Sequence, residues 1–261
     1  MKMSRCGGGY IYSIPMSEIE YVGYFPGNNK CETVNSAYSR LAKERGRAPD
    51  FLFNAELFDF NTRAAASDVV AGGVVHRLTE GYGIAFPGNK KAVFSYKNFV
   101  GAKDYVGAYP VLVRNGKSEM SIPAGLGGVR GRTAIGVGND KFHVGLVPDS
   151  AGVSMQTLRT AFRSTGVTDA INLDGGGSTQ YYTPTGKYFS GRRVRGFIAV
   201  WIKGDFRKVK VRTSLNIRSG PGITNKRVGK LYNGDVVKIL EEKLGWCRIA
   251  SGWVSSLYLK K

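Results

Sequence analysis

Histidine and cysteine are scarce in this chain of 261 residues, which has two histidines and three cysteines. Two histidines are too few for a histidine-rich metal site, and they provide no Ser-His-Asp order. The cysteines (Cys6, Cys31 and Cys247) are odd in number and widely spaced, with no C-x-x-C pair. This pattern argues against a zinc ribbon or a dithiol redox site. We expect three unpaired thiols, which favours synthesis in a reducing cytoplasm.

Acidic residues are also few. The chain has 19 Asp and Glu and 38 Lys and Arg, so its formal charge is +19. The last 57 residues hold 13 of the basic and 4 of the acidic residues, so the positive charge per residue is higher in the C-terminal part. Such a charge favours polyanionic partners. Nucleic acid, anionic wall polymers, acidic membranes and phosphorylated substrates all remain open.

Long apolar runs are absent as well. No stretch approaches the roughly 18 apolar residues that span a bilayer, so no membrane span is expected. Residues 1–24 are interrupted by the run Gly7-Gly8-Gly9, a proline and two glutamates and do not form a cationic-then-apolar leader. We therefore expect synthesis in the cytoplasm without a signal peptide. The first part of the chain also lacks the phosphate-binding lysine loop and the dinucleotide fingerprint.

Glycine, by contrast, is abundant, with 36 residues. Short apolar stretches between turn residues predict a strand-rich α+β fold, with a mixed sheet and a few helices over residues 1–204. Apolar spacing predicts a helix over residues 35–47 and a second over Met155–Ser164, with Ser154 as its N-cap. A strand is predicted over residues 106–113, before the Asn-Gly turn that follows.

The sequence INLDGGGSTQ, residues 171–180, indicates chemistry most clearly. Asp174 ends a short buried strand and precedes three glycines, whose amides can form an anion-binding nest. The carboxylate is then a catalytic or metal-binding acid, and the alternative is a glycine-rich turn with a solvated aspartate. Arg130 and Arg132 are either a phosphate clamp or two solvated cations. His143, in an alternating apolar strand, is predicted to be a packing residue.

Four segments in this order resemble the phosphodiester glycosidase family, which includes the enzyme that removes N-acetylglucosamine from a sugar phosphodiester. They are the early FNAELFD segment (residues 53–59), the YPVLVRNG hairpin (residues 109–116), the RTAIG strand (residues 132–136), and the helix followed by the LDGGGS signature (residues 152–179). The family usually has Gly-Phe-Phe where this chain has Glu56-Leu57-Phe58. Its final Arg-Pro-Val segment corresponds to residues 192–194, with an arginine in place of the proline.

The resemblance implies a sugar 1-phosphodiester as substrate and a pocket lined by Asn54, Asp59, Arg132, Thr133, Asn172, Asp174, Gly175, Gly176 and Ser178. We expect Arg132 and the amides of Gly175, Gly176 and Gly177 to hold the phosphate, and Arg192 also to bind substrate. Asp174, together with Glu56 or Asp59, would serve as acid, base or metal ligand. No cofactor is required by this scheme, and calcium or magnesium is left open as a divalent cation.

Residues 205–261 resemble a bacterial SH3-type domain, through the segments LNIRSGP (residues 215–221), GDVVKIL (residues 234–240) and GWCRI with GWV (residues 245–254). The resemblance implies a small all-β SH3-like barrel that binds cell-wall peptides, with Trp246 or Tyr232 as natural contacts. Closely spaced short strands with glycine turns are typical of such a barrel.

Two functions are expected from these observations. The first is a phosphodiester glycosidase that the C-terminal domain directs to the bacterial cell wall or another anionic polymer, as in a phage lysis-type protein released by another factor. The alternative is a non-catalytic protein on the same fold that binds cell wall or nucleic acid through its positive charge.

Overall fold

The computed structural model describes residues 1–77, 81–88, 92–96, 102–119 and 122–260. The chain divides into two compact units, Met1–Ile202 and Lys203–Lys261. The boundary predicted from the sequence, between residues 204 and 205, lies two residues later. In the part of the chain described, no helix has both the length and the apolar character needed to cross a membrane.

The first unit contains two α-helices and 17 strands among its described residues. The helices are α1 (Val34–Arg45) and α2 (Met155–Ser164). The strands of the N-terminal half are β1 (Lys2–Cys6), β2 (Gly9–Pro15), β3 (Ile19–Pro26), β4 (Phe51–Asn54), β5 (Val69–Ala71), β6 (Val74–Arg77), β7 (Tyr82–Phe86), β8 (Val93–Tyr96) and β9 (Asp104–Gly107). The remaining strands are β10 (Val111–Arg114), β11 (Lys117–Ser118), β12 (Arg132–Gly138), β13 (Lys141–Val147), β14 (Asp169–Asn172), β15 (Tyr181–Thr183), β16 (Gly186–Tyr188) and β17 (Gly196–Ile202).

These strands form three sheets. The first has the order β1-β2-β13-β12-β14-β10-β11, the second β16-β15-β4-β17-β3, and the third β6-β5-β9-β7-β8. The strand pairs of the described residues are antiparallel, whereas the sequence predicted a mixed sheet. Residues far apart in sequence therefore become neighbours, as β12 and β14 do.

The core lies between the sheets, and each helix covers one outer face. Ile135 of the first sheet, Phe51 and Phe53 of the second and residues of the third share one buried cluster. Because strand residues alternate in direction, Ala134 faces α2 instead. Leu52 faces α1 for the same reason. The result is a layered arrangement of helix, sheet, sheet and helix, with the site at the edge where the two central sheets meet.

Helix α2 has the bounds that the sequence predicted. The Ser154 hydroxyl accepts the amide hydrogen of Thr157 at 3.1 Å, which satisfies one of the unpaired donors of the first turn. Met155, Leu158 and Phe162 are fully buried against the first sheet. Each such side chain contributes about 1.5–3 kcal/mol by leaving water. Amphipathic spacing and a capping residue agree here, which is why the prediction succeeds.

The single strand predicted over residues 106–113 is wrong. The structure has two strands there, β9 in the third sheet and β10 in the first, separated by Ala108, Tyr109 and Pro110. Proline has no amide hydrogen for a strand ladder and breaks the pattern at this point. Each half of the apolar run contains buried residues, the first half in the third sheet and the second half in the first sheet.

The second unit is a small all-β domain, and the α+β class with a C-terminal β domain is thus confirmed. Its described strands are β18 (Asp205–Val209), β19 (Ser214–Arg218), β20 (Arg227–Tyr232), β21 (Val236–Ile239), β22 (Glu241–Lys243), β23 (Trp246–Ile249), β24 (Gly252–Ser255) and β25 (Leu259–Lys260). They form two sheets, β21-β18-β25 and β20-β19-β24-β23-β22, around one apolar core. The three cysteines are buried free thiols, as predicted.

Candidate active site

Asn54, the last residue of β4, links the two central sheets. Its side-chain carbonyl accepts the Thr133 hydroxyl at 2.8 Å and the Gln180 amide hydrogen at 3.2 Å. Its side-chain amide donates to the Asp174 carbonyl at 2.7 Å. Asn54 is buried, so replacing it would leave several polar groups unpaired at about 1–3 kcal/mol each. The sequence therefore brings Asn54, Thr133 and Asp174 together, as the resemblance implied.

Asp174 is half-buried and lies two residues beyond the end of β14, after Leu173. Its amide donates to the Ala55 carbonyl at 3.0 Å, and its Oδ1 accepts the Gly175 amide hydrogen at 2.9 Å. Burial raises the pKa of the Asp174 carboxyl, while hydrogen bonds from Ser178 and Gly175 and the charge of Arg192 oppose that rise. The carboxyl is therefore a stronger base than an exposed aspartate and is held in a fixed position.

The three glycines form the start of a 3₁₀ turn, Gly176–Ser178. Gly176 has φ +57°, a conformation that favours glycine. Its amide donates to the Gly131 carbonyl at 2.8 Å, and the Gly175 amide is taken by Asp174. Two of the three amides expected to hold a phosphate are therefore engaged within the protein.

Arg192 is the cation beside this turn. Its Nη1 donates to the Ser178 hydroxyl at 3.0 Å, and its guanidinium lies 4.7 Å from the ring centroid of the half-exposed Phe60. A Cβ atom on Gly177 would lie 2.8 Å from Arg192 Nη2, so the absence of a side chain there makes room for the guanidinium. Arg192, Ser178 and Asp174 form one polar chain along the turn.

Glu56 is buried two residues after Asn54. Its Oε1 accepts the Tyr24 hydroxyl at 2.6 Å and lies 3.4 Å from Arg195 Nε, whereas its buried Oε2 has no hydrogen-bond partner. Burial raises the pKa of Glu56 to about 7, the negative charge of Asp174 adds to this, and Tyr24 and Arg195 oppose it. Two carboxyl groups that repel each other are thus placed in one site.

Asn172 stands at the end of β14 and orients the backbone. Its side-chain amide donates to the Leu173 carbonyl at 2.7 Å and to the Tyr109 carbonyl at 3.2 Å, while its buried Oδ1 has no partner. Tyr109 also lines a cleft of about 480 Å³ that neither Asp174 nor Glu56 contacts.

Arg132 does not face Asp174. Its Nε donates to the Val153 carbonyl at 3.1 Å, and its Nη2 donates to the carbonyls of Leu126 (2.9 Å) and Gly128. Burial also lowers its pKa to about 10. Because Thr133 points to Asn54, its neighbour Arg132 on β12 points to the opposite face of the sheet. The guanidinium thus bonds to carbonyls of the loop before β12 and to the carbonyl of Val153, which lies just before α2.

Asp59 also lies apart from the other predicted residues. It is exposed, and its Oδ1 accepts the amide hydrogens of Asn61 at 2.9 Å and Thr62 at 2.7 Å. These hydrogen bonds are the main reason that the pKa of Asp59 is lowered. The side chain closes a tight turn in the manner typical of aspartate.

Three residues of the site were not predicted from the sequence. Gln180 directly follows the signature, where its side chain accepts the Val34 amide hydrogen and donates to the Arg192 carbonyl. Arg195 directly follows residues 192–194, which correspond to the family's Arg-Pro-Val segment. Tyr24 has no local signal, because its hydroxyl meets Glu56 only through the pairing of β3 with β17 and of β17 with β4.

A divalent cation would need several oxygen ligands close together. In the described part of the chain, no group of three or more His, Cys, Asp or Glu side chains is placed to hold a metal ion. Among the described residues, therefore, no such cluster is present, and no step of the reaction is assigned to a metal.

Comparisons with known proteins identify the family of each domain. The family model of the phosphodiester glycosidases matches residues 51–210, and that of the bacterial SH3 domain matches residues 213–260. No curated protein matches the sequence. The catalytic domain of zebrafish N-acetylglucosamine-1-phosphodiester alpha-N-acetylglucosaminidase, auto-inhibited by pro-peptide, is similar in fold, with a TM-score of 0.59, 17% identity, and coverage of 75% of this chain and 77% of that one.

A hypothetical protein from Synechocystis has a TM-score of 0.60 at 13% identity, over 77% of this chain and 61% of that chain. At such identities the likeness concerns the fold alone. The family model, however, covers more than half of the chain and includes Asn54, Asp174 and Arg192. The chain belongs to the phosphodiester glycosidase family and carries a bacterial SH3 domain after its glycosidase domain.

Proposed function

We propose that the first unit hydrolyses the glycosidic bond of a sugar 1-phosphodiester, with Asp174 as the carboxylate that meets the substrate. The observation that carries this proposal is the half-buried Asp174 carboxylate, fixed by the Gly175 amide and coupled through Ser178 to Arg192. A hydrolase of this class needs a base for water and a cation for the phosphoryl oxygens. Asp174 and Arg192 supply that pair.

The proposed reaction follows from these positions. Asp174 accepts a proton from a water molecule, whose oxygen attacks the anomeric carbon. The bond between that carbon and the phosphate oxygen breaks, and the phosphate monoester leaves with the electron pair. Arg192 stabilises the negative charge on the phosphoryl oxygens, since a guanidinium matches phosphate geometry.

Glu56 acts through Asp174 in this proposal, because its carboxyl is too buried to reach the attacking water in this structure. Below a pH of about 7 Glu56 is largely neutral, and above it the ionised group repels the charge of Asp174. Glu56 is thus a positioning residue beside the base, with which it interacts through charge.

The test is Asp174→Asn, which keeps the shape of the side chain and removes the base. We expect kcat on a sugar 1-(methyl phosphate) to fall by roughly 10²–10⁴-fold, the usual contribution of a positioned acid or base. Asp140→Asn is the matched control, because Asp140 is exposed in the turn between β12 and β13. Released sugar is measured by chromatography, and folding by circular dichroism. Undiminished turnover by a folded Asp174→Asn variant would exclude this role.

We further propose that the SH3 domain binds an anionic polymer of the bacterial cell wall or an associated wall peptide. A groove of about 910 Å³ on this domain is lined by Lys210, Arg212 and Arg218, together with Trp246 and the exposed Tyr258. No described Asp or Glu lines it, so its charge suits an acidic ligand. Action at the cell wall after release from the cytoplasm would bring the glycosidase unit to phosphodiester-containing polymers.

A further inference from the structure

A cleft of about 330 Å³ on the first unit is lined mainly by basic side chains. Its lining consists of Lys30, Thr62, Arg63, Ala64, Ala65, His76, Arg77 and Arg195. No acidic side chain of the described residues lines it. Like charges placed together in a concave surface repel one another and create a positive potential. A bound anion would relieve that repulsion.

Two of the guanidinium groups are anchored on one short segment. Arg195 Nη1 donates to the Arg63 carbonyl at 3.0 Å, and Arg77 Nη1 donates to the Ala65 carbonyl at 3.3 Å. A guanidinium carries five N–H donors in a planar fork, so a carbonyl bond orients the group and leaves further donors for a ligand. The cleft therefore holds oriented guanidinium groups in addition to flexible lysine charge.

The backbone under two other cations is constrained. Lys30 has φ +71° and Arg63 has φ +59°, a region that residues other than glycine seldom occupy. Asp59 fixes the turn that presents Arg63, because its carboxylate accepts the Thr62 amide hydrogen and its carbonyl accepts that of Arg63 at 2.9 Å. Such conformations persist where the surrounding structure holds them, often at ligand sites.

Arg195 belongs both to this cleft and to the neighbourhood of the carboxyl pair, since its Nε lies 3.4 Å from Glu56 Oε1. Arg192, by contrast, stands at Ser178 and does not line the cleft. The first unit thus has two separate cationic positions beside one pair of carboxyl groups. Two phosphoryl groups would match two such positions.

We propose that this cleft binds a second phosphoryl group of the substrate, beyond the phosphodiester that is cleaved. The substrate class is then a chain of phosphodiesters or a sugar phosphodiester whose leaving group carries another phosphate. The placement of this group relative to the cleaved bond rests on the proposed function. The binding of a phosphate oxyanion does not, and it can be measured without turnover.

The binding test uses tripolyphosphate and the intact chain in a calorimeter. Arg77→Gln is expected to raise the dissociation constant about tenfold, because one charge-assisted contact is lost. The dissociation constant of Arg77→Lys, which keeps the charge, should lie between those of the wild type and Arg77→Gln. Arg5→Gln removes one exposed charge from β1, outside the cleft, and should change the constant less than twofold. Equal effects of Arg77→Gln and Arg5→Gln, or none of either, would overturn the proposal.

A kinetic comparison of two substrates tests whether the cleft binds a phosphate of the leaving group. Arg77→Gln should raise KM about tenfold for a sugar 1-phosphodiester whose leaving group ends in a phosphate, with kcat unchanged. KM for the corresponding methyl phosphodiester should stay the same. If the methyl compound is hydrolysed but Arg77→Gln affects both substrates alike, the second phosphoryl site is wrong while the proposed function stands. If neither is hydrolysed while tripolyphosphate binding still depends on Arg77, the proposed function fails and the anion site remains.

Discussion

At the scale of single residues, the carboxyl group of Glu56 is the unusual feature of the site. It is buried, with one oxygen bonded to Tyr24 and the other without a hydrogen-bond partner. A buried carboxyl resists ionisation unless it is paired. Arg195 at 3.4 Å offsets only part of that cost, since the pKa of Glu56 is still raised to about 7.

Glu56→Gln should therefore change how stability depends on pH. The pKa rises from an ordinary value of 4.5 to about 7 in the folded protein. Between these values the native state keeps a proton that the unfolded chain has released, so stability falls as pH rises and levels off above 7. The difference amounts to about 3 kcal/mol. Relative to the wild type, Glu56→Gln should gain this amount in free energy of unfolding between pH 4.5 and pH 8, measured by urea denaturation.

The matched control is Glu44→Gln, because Glu44 is exposed on α1 and forms only a surface pair with Arg40. Its pH dependence should follow that of the wild type. Parallel curves for wild type and Glu56→Gln across this range would mean that Glu56 ionises normally. The pH profile of kcat provides a second measurement, since the ionisation near pH 7 should disappear in Glu56→Gln.

The residue-scale predictions from the sequence differ in outcome for a physical reason. The resemblance placed Asn54, Thr133 and Asp174 in one pocket, and the structure joins them by hydrogen bonds. It also placed Arg132 and Asp59 there, but their side chains bond to backbone groups elsewhere. A motif specifies which residues are near in sequence, whereas strand alternation and local turn geometry decide which way each side chain points.

At the scale of elements, the 3₁₀ turn Gly176–Ser178 connects sequence to chemistry. Each of its glycines serves a different need. Gly176 supplies the positive φ, whereas Gly177 leaves space for the Arg192 guanidinium. A Cβ on the preceding Gly175 would lie 2.8 Å from the Gly131 carbonyl oxygen, which is backbone and cannot easily move. Substitutions of these glycines should therefore affect activity and the free energy of unfolding to different extents.

Gly177→Ala should reduce activity with little loss of stability. The added methyl displaces the end of a flexible side chain and so moves the Arg192 guanidinium from its place at Ser178. The proposed charge-assisted contact of Arg192 with the phosphoryl oxygens, which is then lost, is worth about 1.5–3 kcal/mol. That corresponds to a fall of roughly 10–100-fold in kcat/KM. Gly186→Ala is the control, because a Cβ there meets nothing within 4 Å. Gly175→Ala should lower the free energy of unfolding more than either, measured by denaturation. Full activity of Gly177→Ala would remove Arg192 from the mechanism.

The elements that the sequence predicts well are those with local signals. Helix α2 combines an apolar face with the Ser154 cap, and both lie within a few residues of each other. The division of residues 106–113 into β9 and β10 depends instead on which sheet each half joins. An apolar run looks the same whether it enters one sheet or two.

At the scale of the whole chain, the candidate site exists because two sheets meet. Asn54 comes from the second sheet, whereas Thr133 and Asp174 are supplied by the first, and their sequence separations of 79 and 120 residues exceed any local pattern. Tyr24 reaches Glu56 within the second sheet, through the pairing of β3 with β17 and of β17 with β4. Such long-range pairings are fixed by burial of both sheet faces, which composition and periodicity do not specify.

The second unit carries its own positive charge and should bind anionic cell-wall polymer independently of turnover. Arg212→Glu reverses one charge of the groove, so we expect several-fold less protein to sediment with polymer-bearing cell walls at low salt. Lys243→Glu, exposed on β22 outside the groove, is the matched control and should lose less than twofold. Because the attraction is electrostatic, binding should weaken between about 50 and 300 mM salt.

Walls stripped of their anionic polymer separate the two proposed ligands of this groove. Binding that survives stripping and does not respond to salt would exclude the polymer and favour a wall peptide held by Trp246 and Tyr258. Polymer binding by the wild type without hydrolysis of any sugar phosphodiester would favour the non-catalytic alternative, since the SH3 groove does not depend on Asp174. Arg212→Glu can be compared on two substrates. If it still hydrolyses a small soluble substrate but is less active on intact walls, catalysis belongs to the first unit and localisation to the second.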